Sequence, residues 1–442
     1  MLAAAGTILL PMGPAQAQGG EWNIPMAEAD DRLACVPVDD KDSDSLNQQP
    51  WTKNFIGLDD AQQYNRGTFE AGSKIGDPVT IAVIDSGVAK EREDVFGSRL
   101  LEGFDHWDAA SKGQCDAFYH GTAVAAIAAG GALDENFIGV APEANILPIR
   151  IFQNDEDGGD ENKSRLLADA IRAAAEQGAD VINTSLVVLP TTELQEAVDA
   201  VIAEGVVIVA ATGNETKFME DPDLEFKDQG FYPANYPDVI AVGAHNETGN
   251  WYDKTNYGEN IDLLAPGQNV SFPFAGGEWQ SASGTSFAAP FVAGAAALLK
   301  AEFGAEATPA WIQKRLQETA IHPPNGFNVY QGYGVLNVKD ALSAPIADPG
   351  EITSTDVGMA PVEDQTSGPP LTEDERDAIA PLDPDYDPLR TEKTVAWASV
   401  GGALVLIALV LVLKKVIPKG RTRRWRPGSR EIDRLPVKVD SA

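Results

Sequence analysis

The chain has 442 residues, 43% of them hydrophobic, enough to bury a large core. It carries 67 acidic against 33 basic residues, for a net charge of −34. Such a surface repels phosphate backbones, which argues against nucleic-acid binding and otherwise reads as a device for solubility.

Residues 1–17 hold a short apolar stretch, Thr7–Leu10, then Pro11 and Pro14, then Ala15-Gln16-Ala17. The last triplet is an A-x-A-like cleavage site, and the segment reads as a signal peptide. It lacks a positive n-region, so it is either a truncated signal or no signal at all. Residues 18–76 are polar and irregular and contain Cys35. Residues 77–344 alternate strand-like and helix-like runs. Val79–Ile84, Ile146–Phe152, Asp180–Leu186, Val206–Ala211 and Val239–Ala244 are apolar nearly throughout, as expected of strands buried on both faces of a parallel sheet. In Lys163–Gln177 the apolar positions Leu166, Leu167, Ala170, Ile171 and Ala174 recur at helical spacing, and Thr191–Glu204 behaves likewise. Thr308-Pro309 opens a further helix with a cap and a first-turn proline. The fold expected is α/β, a doubly wound, mostly parallel sheet with helices on both faces.

Residues 345–393 are rich in Pro, Asp, Glu, Ser and Thr and read as a disordered stalk. Val395–Leu413 contains no charged residue. As a helix it would extend about 28 Å, close to the hydrocarbon thickness of a bilayer. Residues 414–442 contain ten Lys/Arg against three Asp/Glu. The positive-inside rule then expects a single-pass cell-membrane protein, with this tail in the cytoplasm and everything before Thr394 outside. Cys35 and Cys115, the only cysteines, would lie in an oxidising compartment; their connectivity is fixed if they pair.

Three short motifs carry chemistry. They are Val83-Ile84-Asp85-Ser86-Gly87-Val88, His120-Gly121-Thr122, and Gly284-Thr285-Ser286-Phe287-Ala288-Ala289-Pro290. A hydroxyl is a poor nucleophile at neutral pH and needs an adjacent base. Histidine suits the task because its pKa lies near 6.5, and a carboxylate can fix its tautomer and stabilise the imidazolium. Asp85, His120 and Ser286 supply these three groups. Ser286 opens a helix, where the local partial positive charge and its own N–H favour an oxyanion. Asn214, in Ala211-Thr212-Gly213-Asn214, lies just past a strand and is the candidate second oxyanion donor.

The three motifs resemble the signatures of the subtilases, in the chain order Asp, His, Ser. The resemblance covers roughly residues 77–344 and implies a subtilisin-like fold and serine endopeptidase activity on polypeptides, with no cofactor required. Ser185-Leu186-Val187 corresponds to the family's groove-bordering Ser-Leu-Gly; the valine in place of glycine reshapes or narrows the groove. Many subtilases hold structural calcium. Asn154–Glu161 is acidic but lacks the spacing of an EF-hand loop, so it reads as solvated, as do Asp221, Asp223 and Glu225. His106, His245 and His322 read as surface or structural residues, and no metal site is expected.

A narrower resemblance is to the mycosins, membrane-anchored subtilases of actinobacterial type VII secretion systems. It rests on the signal-like start, Gln49-Pro50-Trp51, Cys115 ahead of His120, the Pro-rich stalk and the single C-terminal apolar segment. It implies that residues 18–76 wrap the catalytic domain, that Cys35 pairs with Cys115, and that the partner is a type VII secretion membrane complex. Closing a loop of that length would stabilise the fold by about 4 kcal/mol in the chain-entropy model. Mycosins often carry a second cysteine pair, which this chain lacks. The alternatives are a general cell-surface subtilase, or a mainly structural component of the secretion complex.

Overall fold

The computed structural model describes residues 33–36, 50–133, 137–153, 161–220, 231–275 and 279–345. The signal-like start, the stalk, the apolar span Val395–Leu413 and the basic tail lie outside the described residues. So do residues 154–160 of the acidic loop and Asp221, Asp223 and Glu225.

In chain order the helices are α1 (Trp51–Phe55), α2 (Leu58–Ala61), α3 (Glu93–Phe96), α4 (His120–Ala129), α5 (Glu161–Glu176), α6 (Thr192–Ala203), α7 (Thr285–Phe303), α8 (Pro309–Glu318) and α9 (Val338–Ser343). The strands are β1 (Thr80–Asp85), β2 (Phe104–Asp105), β3 (Asn145–Arg150), β4 (Val181–Thr184), β5 (Val207–Ala211), β6 (Ile240–His245) and β7 (Leu263–Pro266), followed by the antiparallel pair β8 (Val270–Pro273) and β9 (Trp279–Ala282).

The first seven strands form one parallel sheet in the order β2-β3-β1-β4-β5-β6-β7. Alternate residues of each strand point to opposite faces. Ile81 and Val83 of β1 therefore join one core with α4 and α7, while Ala82 and Ile84 join a second core with α5 and α6. Burial on both faces explains why these strands are apolar throughout. The order reverses at β1, which pairs with β3 on one side and β4 on the other. A crevice opens at such a reversal, outside the carboxyl ends of the strands.

Two expected strands prove shorter than their apolar runs. Ile146–Phe152 leaves the sheet after Arg150, and Asp180–Leu186 leaves it after Thr184. The residues beyond turn outward to border that crevice. The Thr308 cap forms as expected, its hydroxyl accepting from Trp311 N at 3.2 Å. Thr285–Glu306 is apolar and long enough to cross a bilayer, but it is the buried central helix of the fold.

Residues 50–76 pack largely against helices of the larger core: α2 lies on α9, and Ile56, Leu58, Ala61 and Phe69 are buried in that core. Trp51 and Phe55 of α1 pack against the His245 ring, Trp51 edge-on and Phe55 tilted, with ring centroids 5.6 and 4.7 Å away. His245 is fully buried, and burial pushes its pKa down to about 4. Farther along, a disulfide joins Cys35 to Cys115. The Leu33–Val36 strap is also held by Val36 N donating to Asp116 O at 2.7 Å and by Leu33 N donating to Gln153 Oε1 at 2.9 Å. Below it the guanidinium of Arg150, wholly buried, donates to Asp105, Gln153 and the Leu33 carbonyl.

A buried carboxylate fastens α8 to the sheet. Asp262 accepts from Ala241 N at 2.6 Å, Gln313 Nε2 at 3.0 Å and Gln317 Nε2 at 2.6 Å. Burial pushes its pKa up to about 7 from an ordinary 3.8. The native state therefore keeps this proton to higher pH than the unfolded chain, and the stability it contributes at low pH is lost as pH rises from about 4 through about 7. Asp262→Asn cannot ionise, so its melting temperature should rise relative to wild type between pH 5 and pH 8. A difference that stays constant across that range would show that Asp262 is already ionised in the folded protein at pH 5 and that burial does not raise its pKa.

Candidate active site

β1 delivers Asp85 to the crevice at the point of sheet reversal, with its side chain fully buried. His120 is the first residue of α4, and its Nδ1 lies 2.9 and 3.0 Å from the two Asp85 carboxylate oxygens. Asp85 Oδ1 also accepts the backbone N–H of Ser86 at 2.7 Å. This pairing places the imidazole N–H on Nδ1 and leaves Nε2 as the basic nitrogen.

The glycines of both motifs follow from how closely these segments meet. A Cβ on Gly121 would overlap the Gly87 carbonyl oxygen and crowd the Asp85 side chain. Gly87 has φ +95°, a conformation L side chains rarely adopt, and a Cβ there would overlap the Cys115 carbonyl. The glycines after Asp85 and His120 thus allow the strand end and the helix start to approach within hydrogen-bonding range.

Ser286 is the second residue of α7. Pro290 lies four residues on and has no N–H, so the Ser286 carbonyl lacks its usual helical donor. Ser185, just past β4, fills the gap: its Oγ donates to the Ser286 carbonyl at 2.8 Å, and Ser286 Oγ donates to the Ser185 carbonyl at 3.1 Å. The candidate nucleophile is thus held against the strand that borders the crevice.

Asn214 is fixed by its oxygen, which accepts Thr285 N at 2.8 Å and leaves the amide as a donor. Thr285 Oγ1 accepts Gly213 N at 3.1 Å. Asn256 braces the same loop, donating to the Thr212 carbonyl at 2.8 Å and accepting Glu215 N and Lys217 N at 3.0 Å each.

His120, Ser286 and Asn214 border one cleft of about 230 Å³. Ser185, Leu186 and Val187 form one side of it, with Phe118, Phe152 and Leu166 farther along. Phe118, Phe152 and Phe287 surround the His120 ring at centroid distances of 6.5, 5.9 and 5.3 Å. Among the described residues, no three His, Cys, Asp or Glu side chains cluster as a metal site. His106, His245 and His322 stand outside this cleft lining.

Sequence reasoning missed the bracing residues. Asn256 carries no local signal, because its partners lie about forty positions away. Asp116 was legible only as a neighbour of Cys115, four residues ahead of His120. Pro290 in the sequence predicts an orphan carbonyl at Ser286 but does not point to the Ser185 hydroxyl as its donor.

Residues 76–334 match the model of the subtilase family of peptidases. The chain is 33% identical over 272 residues to subtilisin NAT of Bacillus subtilis subsp. natto, covering 60% of this chain and 66% of that protein. It thus spans just under two thirds of the subtilisin's length. It is 32% identical over 365 residues to mycosin-1 of Mycobacterium tuberculosis (strain ATCC 25618 / H37Rv), covering 72% of this chain and 78% of mycosin-1. Among solved structures it is similar to MycP1 from the ESX-1 type VII secretion system, with a TM-score of 0.59, 28% identity, and coverage of 74% of this chain and 93% of that one.

Asn214→Ala removes the amide donor and the acceptor for Thr285 N. Turnover of a peptide substrate should fall about 100- to 1,000-fold, with KM changed little, since an oxyanion donor acts mainly in the transition state. Steady-state kinetics decide it; an equal loss carried by KM would assign Asn214 to substrate binding instead.

Proposed function

The chain belongs to the subtilase family, and on that premise we propose that it is a serine endopeptidase working through Asp85, His120 and Ser286, with Asn214 in the oxyanion hole. The observation that carries this reading is the Asp85–His120 pair, joined at 2.9 Å and opening on a cleft that Ser286 and Asn214 also border.

In the proposed reaction the Ser286 hydroxyl turns from the Ser185 carbonyl toward His120 Nε2, which takes its proton as Oγ attacks the scissile carbonyl. Asp85 accepts the Nδ1–H throughout and stabilises the imidazolium. The oxyanion receives the Asn214 amide and the Ser286 N–H, held by the turn that opens α7. His120 then returns the proton to the leaving amine as the acyl-enzyme forms. Water enters, His120 acts again as base, and the second product departs. All of this uses the chain's own groups.

The setting we propose is the outer face of a cell membrane, with Val395–Leu413 as anchor and the basic tail in the cytoplasm. Processing of proteins at a type VII secretion complex is the corresponding role. Its support is the similarity to mycosin-1 and to MycP1, the latter described as from the ESX-1 type VII secretion system.

The direct test is labelling of the purified chain with a fluorophosphonate probe beside a Ser286→Ala control. Wild type should label and the variant should not. Absence of labelling in both would mean that Ser286 is not an activated nucleophile or is covered, and the endopeptidase reading would fall.

A further inference from the structure

We propose that Asp116 is a positioning residue for the Asp85–His120 pair, holding the strand end that carries Asp85 and the helix start that carries His120 in one hydrogen-bonded frame. The inference rests on the reading of Asp85, His120 and Ser286 as the working triad.

The Asp116 carboxylate is 1% exposed. One oxygen accepts Ser86 Oγ at 2.8 Å and Phe118 N at 3.0 Å. The other accepts Thr122 N at 2.8 Å together with the Thr122 hydroxyl. All four donors are neutral, and each belongs to a segment of the site. Ser86 follows Asp85 and donates its N–H to the Asp85 carboxylate. The Ser86 hydroxyl, having donated to Asp116, accepts Gly121 N at 2.9 Å, next to His120. The Thr122 hydroxyl accepts Ala89 N at 2.9 Å and so returns from α4 to the loop after β1.

Two routes therefore lead from Asp116, one to Asp85 through Ser86 and one to His120 through the first turn of α4. No direct bond between Asp116 and either triad member is needed. Phe118, beside the cleft, is set by the same carboxylate.

The geometry calls for a carboxylate rather than an amide. An ionised carboxylate only accepts, and here all four contacts are donors. Burial pushes the Asp116 pKa up to about 6, so the charge persists at neutral pH because these donors replace water. Asparagine has the same shape but would turn an N–H toward one pair of donors. The mismatch would fall inside the frame, where a displacement of about 1 Å can cost about 100-fold in rate.

Two variants of the full-length chain test this at pH 8, where Asp116 is ionised. Asp116→Asn alters the hub, and Ser86→Ala removes its bridge to Asp85 while leaving the carboxylate. Each is assayed for peptide hydrolysis, fluorophosphonate labelling rate, thermal melting, and the far-downfield proton resonance of the Asp85–His120 hydrogen bond. For Asp116→Asn we expect kcat to fall about 10- to 100-fold with KM within about threefold. The labelling rate should fall in proportion, and the downfield resonance should shift or broaden. Ser86→Ala should show the same pattern to a smaller degree.

A folded Asp116→Asn protein with wild-type kcat and an unmoved resonance would overturn the proposal and leave Asp116 a loop anchor. If Asp116→Asn does not fold, Ser86→Ala decides alone: a loss in kcat with unchanged melting supports the frame, and unchanged kcat overturns it. Failure of the wild type itself to label would instead remove the triad reading, and this inference with it.

Discussion

The Asp85 carboxylate is buried at the end of a parallel strand and faces a histidine on the first turn of a helix. A buried carboxylate is costly unless its oxygens are satisfied, so this contact constrains everything around it. The sheet must reverse at β1 to open space at Asp85. The segment before α4 must turn sharply enough to bring His120 back over the strand end. Residues 87 and 121 must lack side chains, because backbone carbonyls occupy the space a Cβ would need. The motif glycines are thus consequences of one close approach, and the hydrogen bonds of Asp116 hold that approach from behind.

Ser286 reaches the cleft by a different device. Its helix is the buried axis of the larger core, so the position of its amino terminus is set by packing along the whole length of α7. Pro290 then leaves the Ser286 carbonyl unpaired within the helix, and Ser185 closes the gap from β4. Thr285 does the same for the Asn214 loop, donating its N–H to Asn214 and accepting from Gly213. Aspartate, base, nucleophile and oxyanion donor therefore come from two strand ends and two helix starts, with Ser185 at a third strand end. The links among them and their supports are short bonds between residues 35 to 101 positions apart.

That distribution explains what could be read from the sequence. Val79–Ile84 and Val239–Ala244 are legible as buried strands because continuous apolar runs have a single cause in an α/β sheet. Lys163–Gln177 is legible as a helix because Leu167, Ala170, Ile171 and Ala174 repeat at its period. β7, with four residues, and the β8–β9 pair, which includes Pro273 and polar Gln280 and Ser281, carry too little periodicity to stand out. The chemical residues were legible because their motifs combine rare residue types with local glycines. Asp116, Asn256 and the Ser185 hydroxyl were not, because their roles exist only between segments. A buried acidic residue looks like a solvated one until its donors are in place.

The described parts of the N-terminal extension meet the supports of the site and not its cleft. The Leu33–Val36 strap bonds to Asp116 and Gln153, immediately behind Phe118 and Phe152. Trp51 and Phe55 lie on His245, whose carbonyl accepts Gly267 N and Gln268 N; the Gly267 carbonyl in turn accepts Gly284 N, two residues before Ser286. One end of the extension therefore reaches the side of the site that holds the base, and the other reaches the loop that leads to the nucleophile. None of these residues lines the cleft. A segment that occupied the groove would have to place its own backbone against Ser185–Val187, as a substrate would. The described contacts at Leu33–Val36, Trp51 and Phe55 lie instead beside the loops next to the base and before the nucleophile, outside the cleft lining.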